Sequence, residues 1–388
     1  MRRQTQPRRP DWVQKIESVG LTYHRLGATA ADGVYWDESV AYAFSMAEVD
    51  RIEAATAELH RLCLAAVEHV VSQPDLMVRF AIAPEFQDYA RRSWARRDPH
   101  LYGRFDLAFD PGNPRLAEPK LLEANYDTPT LLVETAVVQW FWLEDVFPKA
   151  DQFNSVHERL IERWRQIGAL MGGERRLHLS ALDTMLEEVQ TVTYLEDTAR
   201  QAGLETTYIP LDKVGWDADR HLFVDEAQRP IQYWFKLYPW EWIATDAFGP
   251  NLLEDSVGVI EPAWKMLLSN KAILPVLWEL FPDHPNLLPA YLDPAPLGER
   301  SIAKPILGRE GANMELRLPG QSPVRTGGTY GEGPFIYQEA VDLPSFEGAY
   351  AVIGSWTVAD EPAGMILRED DTRIVTNASK VVPHFIEG

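Results

Sequence analysis

RFDLAFDPGNPRLAEPKLLEAN, residues 104–125, contains two short runs in which polar and apolar side chains alternate. Because side chains two residues apart on a strand share a face, Arg104 and Asp106 lie on one face of the first run. Glu123 and Asn125 share a face of the second run, and Asp110-Pro-Gly-Asn113 between the runs is a turn signal. The stretch therefore predicts a β-hairpin on which these polar residues can converge.

The converging set holds two carboxylates, one amide oxygen and one guanidinium. Mg²⁺ is a hard cation that takes oxygen ligands, and it commonly uses one or two carboxylates together with water and phosphate oxygens. We therefore interpret Asp106, Glu123 and Asn125 as candidate ligands of a Mg²⁺ ion that carries phosphates. The alternative is an ordinary half-solvated hairpin, in which the same alternation needs no ligand.

Composition and charge restrict the possible functions. The chain has 388 residues, of which 46% are hydrophobic and 24% charged, as in a globular protein. Its formal net charge of −21 argues against a nucleic-acid partner, since phosphate backbones select basic surfaces. Cys63, the single cysteine, lies on the apolar stripe of a predicted helix, so we expect a core residue. We expect a cytoplasmic protein without a membrane partner, and the oligomeric state stays open.

The pattern along the chain predicts a basic, flexible N-terminal arm over residues 1–20 and one large unit over 21–388. A capping box at Ser45-Met-Ala-Glu48 predicts a long amphipathic helix. Thr128-Pro129 is typical of an N-cap and first-turn proline, and predicts that a second helix begins there. Strands alternate with helices between about residues 150 and 240, which indicates an α/β layer. Short strands and glycines follow from Ser301 onward.

A second candidate site is the segment Lys304-Pro-Ile-Leu-Gly308-Arg309-Glu-Gly311. Glycines let backbone N–H groups approach a phosphate, and the lysine and arginine supply positive charge. The spacing fits neither a Walker A loop nor a dinucleotide-binding glycine turn. An ordinary glycine-containing hairpin remains the alternative for this segment.

Two later segments complete the candidate set. The apolar strand Ile336-Tyr-Gln338-Glu-Ala-Val341 runs into a linker, and its backbone could pair with the edge of an adenine. Arg368 follows the apolar run Met365-Ile-Leu, and an arginine at that place could stabilise charge on a transferred phosphoryl group. A surface arginine at the end of a strand is the alternative.

A series of short segments, in chain order, resembles the synthetase domain of the glutathionylspermidine synthetase family, and most of all its stand-alone bacterial acid–amine ligases. The resemblance spans roughly residues 20–387. It rests on Arg104-Phe-Asp106, Leu122-Glu123-Ala-Asn125-Tyr-Asp-Thr-Pro-Thr130, Lys236-Leu-Tyr-Pro-Trp-Glu241, Glu261-Pro-Ala-Trp264, Ser269-Asn-Lys271-Ala-Ile-Leu-Pro275, Trp278–Pro282, Lys304-Pro-Ile-Leu-Gly-Arg309, Ile336-Tyr-Gln338, Ile353-Gly-Ser-Trp356, the Arg368 segment and Val382-Pro-His-Phe385.

The resemblance implies an ATP-grasp fold of α/β and α+β parts with a preceding α/β (pre-ATP-grasp) region. Its lobes would lie at about residues 260–388, completed by the 100–130 hairpin, with the α/β region at about 150–240 inserted between them. It implies an ATP- and Mg²⁺-dependent ligase that joins a small-molecule or peptide-like acid to an amine through an acyl phosphate. The cofactors would be ATP and two Mg²⁺ ions.

The resemblance also assigns roles to individual residues. Asp106, Glu123 and Asn125 would hold the metal, and Thr128 and Glu241 would face the acid or the amine. The catalytic residues would be Arg104, Arg309 and Arg368, with Arg309 on a loop that closes over the site. The nucleotide would contact Arg104, Asp106, Lys271, Lys304, Gly311, Gln338, Glu339, Ala340, Val341 and Arg368.

Other interpretations stay open. The resemblance covers the synthetase domain and not the cysteine-dependent amidase domain of bifunctional family members, so it implies no amidase activity. The tail after Arg368 differs from the polyamine-site sequence of the family, so the acid and the amine are unassigned. A catalytically weak nucleotide- or peptide-binding module on the same fold is the main alternative. A carbohydrate-active protein, suggested by 13 Trp and many carboxylates, is a further one.

Overall fold

The structure is a computed structural model that describes residues 1–25, 33–172, 175–377 and 379–387. Residues 26–32, 173–174, 378 and 388 of the predicted 21–388 unit lie outside the described residues. The α-helices of the described ranges are α1 Trp12–Ser18, α2 Met46–Val71, α3 Pro74–Met77, α4 Pro84–Arg96, α5 Gln139–Val146, α6 Val156–Leu170, α7 Leu186–Gln201, α8 Trp240–Ile243 and α9 Ile273–Leu280.

The strands of the same ranges are β1 Arg2–Thr5, β2 Val40–Phe44, β3 Tyr102–Ala108, β4 Lys120–Asn125, β5 Arg176–Ser180, β6 Glu205–Tyr208, β7 Gly215–Asp217, β8 Leu222–Val224, β9 Tyr233–Lys236, β10 Gly258–Ile260, β11 Ala290–Tyr291, β12 Ser301–Pro305, β13 Glu315–Arg317, β14 Val324–Arg325, β15 Phe335–Glu339, β16 Ser345–Phe346, β17 Ala349–Val358, β18 Glu361–Asp370, β19 Lys380–Val382 and β20 His384–Ile386.

Three sheets position the candidate site. The predicted hairpin is β3–β4, which forms one edge of an antiparallel sheet of order β19-β18-β17-β3-β4, with β16 paired to β17. A second antiparallel sheet has the order β11-β15-β12-β13-β14. The predicted α/β layer is a parallel sheet of order β10-β9-β5-β6, and its last strand extends the layer to Ile260.

Helix α2 confirms the capping-box prediction. Ser45 accepts a hydrogen bond from the Glu48 backbone, and Glu48 reaches back to the Ser45 backbone, so two N–H groups at the helix start are satisfied. Its apolar stripe is buried against β17, β18 and α9. Cys63 lies in this stripe, fully buried, and burial raises the pKa of its thiol. The interpretation of Cys63 as a core residue is therefore confirmed.

The prediction of a flexible arm over residues 1–20 is wrong. Strand β1 pairs antiparallel with β2, and helix α1 follows it. The basic residues that suggested a solvated arm instead pair with acids from distant segments: Arg9 Nε lies 2.8 Å from Glu38 Oε2, and Arg3 Nε lies 2.7 Å from Glu369 Oε1. These long-range ion pairs hold the first residues against the body of the protein.

The predicted helix start at Thr128-Pro129 is also wrong, because the helix begins only at Leu132. Leu131 has a φ of 75°, in the left-handed region, which interrupts any helix that starts at Pro129. The helix then contains a π-helical turn, Glu134–Val138, before it continues as α5. Such turns are frequent at functional sites.

The short strands predicted from Ser301 onward are confirmed as β12–β20. Ala263–Met266 form a short 3₁₀ turn. Among the helices that the structure describes, none is both long enough and apolar enough to serve as a membrane span.

Candidate active site

A cavity of about 630 Å³ is lined by residues of both antiparallel sheets and of the loops beside them. All predicted site residues except Glu241 line it, and Glu241 contacts the cavity residue Arg309. The lining set is Arg104, Asp106, Glu123, Asn125, Thr128, Lys271, Lys304, Arg309, Gly311, Gln338, Glu339, Ala340, Val341 and Arg368. Residues spread over more than 260 positions of sequence are thus brought to one place.

The hairpin register places the polar residues on one face, as predicted. Asp106 pairs with Glu123, and Arg104 pairs with Asn125, across the β3–β4 ladder. Directly opposite residues of an antiparallel pair share a face, so both carboxylates project into the cavity together. Arg104 Nε donates to Asp106 Oδ1 at 2.8 Å, and Arg368 Nη1 lies 3.9 Å from Asp106 Oδ2.

Two lysines face the Glu123 side of this set. Lys271 Nζ lies 3.0 Å from Glu123 Oε2 and donates to the Gly308 carbonyl at 2.6 Å. Lys304 Nζ donates to the Leu122 carbonyl at 2.8 Å and to Gln338 Oε1 at 2.7 Å. Both ammonium groups are buried. The cavity therefore holds fixed positive charge beside its paired carboxylates.

These charges shift the pKa values of the buried groups. Burial by itself would raise the pKa of Glu123, but Lys271 and Lys304 outweigh burial and hold that pKa well below its ordinary value. Burial raises the pKa of Asp106, and Arg104 offsets only part of this rise. Burial lowers the pKa of Lys304 to about 8, although Glu123 opposes the shift. Glu123 is therefore ionised at neutral pH and available as an oxygen ligand.

The segment 338–341 forms one wall of the cavity. Gln338, the second-last residue of β15, has its side chain between Lys304 and the Leu121 carbonyl, to which its Nε2 donates at 3.0 Å. Ala340 and Val341 follow the end of β15 and line the cavity. Apolar side chains complete this end: Leu122, Ile302, Met314, Leu316 and Val352. The wall can take a flat, apolar ring with polar edges.

The Arg309 loop also lines the cavity and contacts the segments that carry Glu241 and Thr128. Arg309 Nη2 donates to Glu241 Oε1 at 2.6 Å, and Nη1 donates to Thr128 Oγ1 at 2.9 Å. The Arg309 guanidinium lies 5.8 Å from the centre of the Trp242 ring. The loop passes close to residues 374–376 at Gly311. That glycine has a φ of 69°, and a Cβ there would lie 2.6 Å from the Val375 carbonyl oxygen. Only glycine fits this position.

An acidic group that the sequence interpretation missed lies behind the cavity wall. Glu134, in the π-helical turn, accepts hydrogen bonds at Oε1 from Tyr23 (3.0 Å) and Tyr35 (2.5 Å), and both tyrosines line the cavity. Glu134 Oε2 makes no hydrogen bond to the described residues. Burial and the nearby Glu187 raise the pKa of Glu134 to about 7. No local sequence signal marks this contact between distant segments.

Glu187 and Glu188 are further cavity residues that sequence reasoning missed. They lie in the first turn of α7, where two glutamates look like ordinary charges that favour a helix N-terminus. Burial raises the pKa of both, that of Glu188 to about 7. The end of the cavity beyond Arg309 is therefore acidic, in contrast to the lysine-containing end.

A buried ion pair connects two of the segments that form this acidic end. Lys236 Nζ lies 2.8 Å from Asp127 Oδ1, and the Trp240 backbone N–H donates to Asp127 Oδ2 at 2.8 Å. Both charged side chains are almost completely buried. The pair joins the segment that carries Thr128 to the segment that carries Glu241.

The hairpin residues fit a Mg²⁺ ion. Two carboxylates and an amide lie on one strand pair, with the Asn125 amide nitrogen 3.5 Å from Glu123 Oε1, and all three residues offer the oxygen donors that Mg²⁺ prefers. Imidazole and thiol groups, which favour other metals, are absent from the described residues that line the cavity.

Comparison with known proteins agrees with this geometry. The family model described as "Glutathionylspermidine synthase preATP-grasp" matches residues 3–387. The chain belongs to this family. A Haemophilus influenzae protein that carries the provisional name acid–amine ligase is 41% identical over 395 residues, which cover 98% of each chain.

Two other relatives are longer than this chain. Trypanothione synthetase of Crithidia fasciculata is 29% identical over 82% of this chain and 52% of its own length. The bifunctional glutathionylspermidine synthetase/amidase of Escherichia coli is 30% identical over 85% of this chain and 56% of its own length. The chain therefore spans about half the length of these two relatives. All three relatives are ligases or synthetases by name, and this family membership makes the chain an ATP-dependent acid–amine (C–N) ligase.

A solved structure supports the fold independently of sequence. The glutathione synthetase-like effector GSS30 of Globodera pallida, in its apo form, superposes with a TM-score of 0.61 at 10% identity, covering 97% of this chain and 96% of that one. The predicted ATP-grasp fold with a pre-ATP-grasp region is confirmed.

Proposed function

We propose that this ligase activates a carboxylic acid with Mg²⁺-bound ATP and joins it to an amine through an acyl phosphate. The observation that carries the proposal is the arrangement at one end of the cavity, where Asp106 and Glu123 lie side by side and Lys271 and Lys304 face Glu123. Paired carboxylates next to buried ammonium groups suit a triphosphate with its metal, because each part finds opposite charge.

In this proposal the adenine lies against Gln338–Val341 and the apolar wall beside them. Lys271 and Lys304 contact the phosphates, and Gly311 lets the loop backbone come near them. Asp106, Glu123 and Asn125 hold one or two Mg²⁺ ions. A bound metal ion would neutralise negative charge on the triphosphate.

The acid lies between the nucleotide and the three arginines. A carboxylate oxygen of the acid attacks the terminal phosphorus, the bond from that phosphorus to the bridging oxygen breaks, and ADP leaves. Arg104 and Arg368 both lie against Asp106, so their guanidinium groups are placed to stabilise the negative charge of the transferred phosphoryl group. The product is an acyl phosphate, from which phosphate can leave when the amine attacks the acyl carbon.

The amine enters from the acidic end. An amine reaches the site as an ammonium ion, which Glu187, Glu188 and Glu241 attract, and it must lose a proton before it can attack the acyl carbon. Glu188, with a pKa of about 7, is suited to accept that proton near neutral pH. The nitrogen then forms the amide bond and inorganic phosphate leaves.

Water must be excluded while the acyl phosphate exists, because water would hydrolyse it. Arg309 bridges the cavity to Glu241 and Thr128 and stacks against Trp242, so its loop covers the reacting groups. We propose that residues of about 260–388 and the 100–130 hairpin form the nucleotide-binding lobes, and that the parallel sheet region forms the acceptor side. The cytoplasmic location stays a prediction from the sequence.

The test is ADP release from the purified protein with Mg²⁺, ATP and a panel of acids and amines, beginning with glutathione and spermidine. We expect release that needs both substrates and that Glu123→Gln abolishes. Glu118→Gln is the matched control, because Glu118 lies in the same hairpin but pairs at the surface with Arg51 at 2.8 Å. Tight ATP binding without turnover for any pair would overturn the proposed Mg²⁺-dependent acyl-phosphate reaction and favour a catalytically weak nucleotide-binding module.

A further inference from the structure

A second cluster of metal-binding side chains lies away from the cavity. His60 in α2, His100 just before β3 and Asp360 in the turn between β17 and β18 come together from three distant segments. His60 Nε2 lies 3.0 Å and His100 Nε2 lies 3.1 Å from the same oxygen, Asp360 Oδ1. The possible ligand atoms all lie within 4.8 Å of one another. Two imidazoles and a carboxylate thus aim at one point.

The two rings are held in place. His60 Nδ1 lies 2.8 Å from the Tyr126 hydroxyl, and the His60 and His100 rings stack with their centres 5.9 Å apart. Metal-binding histidines almost always have their other ring nitrogen fixed by an outer contact, as His60 has here. The buried His100 Nδ1 has no hydrogen-bond partner among the described residues, and its ring is held by packing against Trp264 at 5.3 Å between ring centres. Both imidazoles are buried, whereas 65% of the Asp360 side chain is exposed, so the cluster opens to solvent on the aspartate side.

The charges around the cluster are balanced. Two cations, Lys265 and Arg163, lie near the cluster. Lys265 pairs with Glu261, and Arg163 Nε donates to the His100 carbonyl at 2.7 Å. The Asp360 carboxylate and Glu261 thus face the two cations near the cluster.

The cluster is distinct from the nucleotide end of the cavity. Gly354 of β17 pairs with Asp106, whereas Asp360 lies beyond the end of β17 at Val358. The four steps from Gly354 to Val358 span ~13 Å of extended strand. None of the three cluster residues lines the cavity.

We propose that His60, His100 and Asp360 bind a late first-row divalent cation, with Zn²⁺ as its representative, at a site separate from the nucleotide's Mg²⁺. Imidazole nitrogen favours Zn²⁺ over Mg²⁺, and three protein ligands leave a fourth, solvent-facing position open. The ion would cross-link α2, the start of β3 and the β17–β18 turn. It would thereby fix the end of the sheet whose other end carries Asp106.

The test is a titration of the chelator-treated protein with Zn²⁺ in excess Mg²⁺, which we expect to fill the hairpin site. We expect one equivalent to bind, a higher unfolding temperature, and visible d–d absorption of a low-coordinate Co²⁺ complex when Co²⁺ replaces Zn²⁺. Asp360→Asn should weaken binding by at least about tenfold. Glu361→Gln, which removes a neighbouring exposed carboxylate, should leave binding unchanged.

His100→Gln provides a second ligand variant, and the unfolding curve of each variant shows whether it is folded. The proposal is overturned if no equivalent of Zn²⁺ binds in excess Mg²⁺, or if folded Asp360→Asn and His100→Gln bind as tightly as the parent. It is also overturned if Asp106→Asn, rather than Asp360→Asn, removes the bound Zn²⁺, since the ion would then occupy the hairpin.

Discussion

The buried pair of Lys236 and Asp127 gives the sharpest stability prediction. Asp127→Asn keeps the shape of the side chain and can still accept from the Trp240 backbone, but it removes the carboxylate that lies 2.8 Å from Lys236 Nζ. An ammonium group with no exposed surface is then left without its counter-charge. Breaking a buried pair on one side costs about 3–5 kcal/mol of unfolding free energy.

The size of this loss in unfolding free energy follows from the burial of Lys236 rather than from the strength of its attraction to Asp127. Burial already lowers the pKa of Lys236 in the intact pair, with Asp127 opposing the shift. Without Asp127 that pKa falls further, so the unfolded state binds more protons between the two pKa values. The deficit of Asp127→Asn is therefore largest below the lowered pKa of Lys236 in the variant, and it shrinks as pH rises through that value to the pKa of Lys236 in the intact pair.

Urea unfolding followed by tryptophan fluorescence measures this prediction, with Lys236→Met and the double variant completing the cycle. Lys236→Met/Asp127→Asn should recover much of the lost stability, because removal of both charges leaves neither unpaired. A loss below about 1 kcal/mol for Asp127→Asn at pH 7, or no recovery in the double variant, would refute the reasoning.

Three further variants test the site. Glu123→Gln should abolish the Mg²⁺ dependence of ATP binding in calorimetry, because it removes an ionised oxygen ligand, and an unchanged dependence would count against the ligand role. Arg309→Lys should raise ADP release uncoupled from amide formation, since lysine cannot bridge Glu241 and Thr128 in the same plane; a full product-to-ADP ratio would speak against water exclusion by this loop. Glu134→Gln should stabilise the protein by about 3 kcal/mol at pH 8, and equal stability of variant and parent at that pH would argue against a raised pKa.

The sign of the Glu134 effect follows from its raised pKa. The folded state holds the Glu134 proton up to a pKa of about 7, whereas the unfolded state releases it near 4.5. The unfolding free energy therefore falls as pH rises through that window, and the glutamine variant, which cannot titrate, lacks this slope.

Local sequence patterns predicted those features that depend on residues close together in the chain. The β3–β4 register followed from alternation, because one buried face fixes which residues share a side. The start of α2 followed from its capping box. The convergence of Lys271, Lys304, Gln338 and Arg368 on this hairpin came only from the resemblance, since no local pattern encodes contacts between distant strands.

The wrong predictions also concern contacts between residues that are far apart in the chain. The helix predicted to start at Thr128 begins later because Leu131 adopts a left-handed conformation and the Thr128 hydroxyl accepts from Arg309, a contact across 181 positions. Long-range ion pairs order the N-terminal residues, and the His60–Asp360 contact spans 300 positions. From the sequence alone such residues look like ordinary surface charges, because only the folded structure brings their partners close to them.

A crystal structure with Mg²⁺ and a non-hydrolysable ATP analogue tests the central claim most directly. The account predicts metal among Asp106, Glu123 and Asn125, the base against Gln338–Val341 and the terminal phosphate facing Arg368. A nucleotide bound outside this cavity, or one whose metal contacts neither hairpin carboxylate, would contradict it.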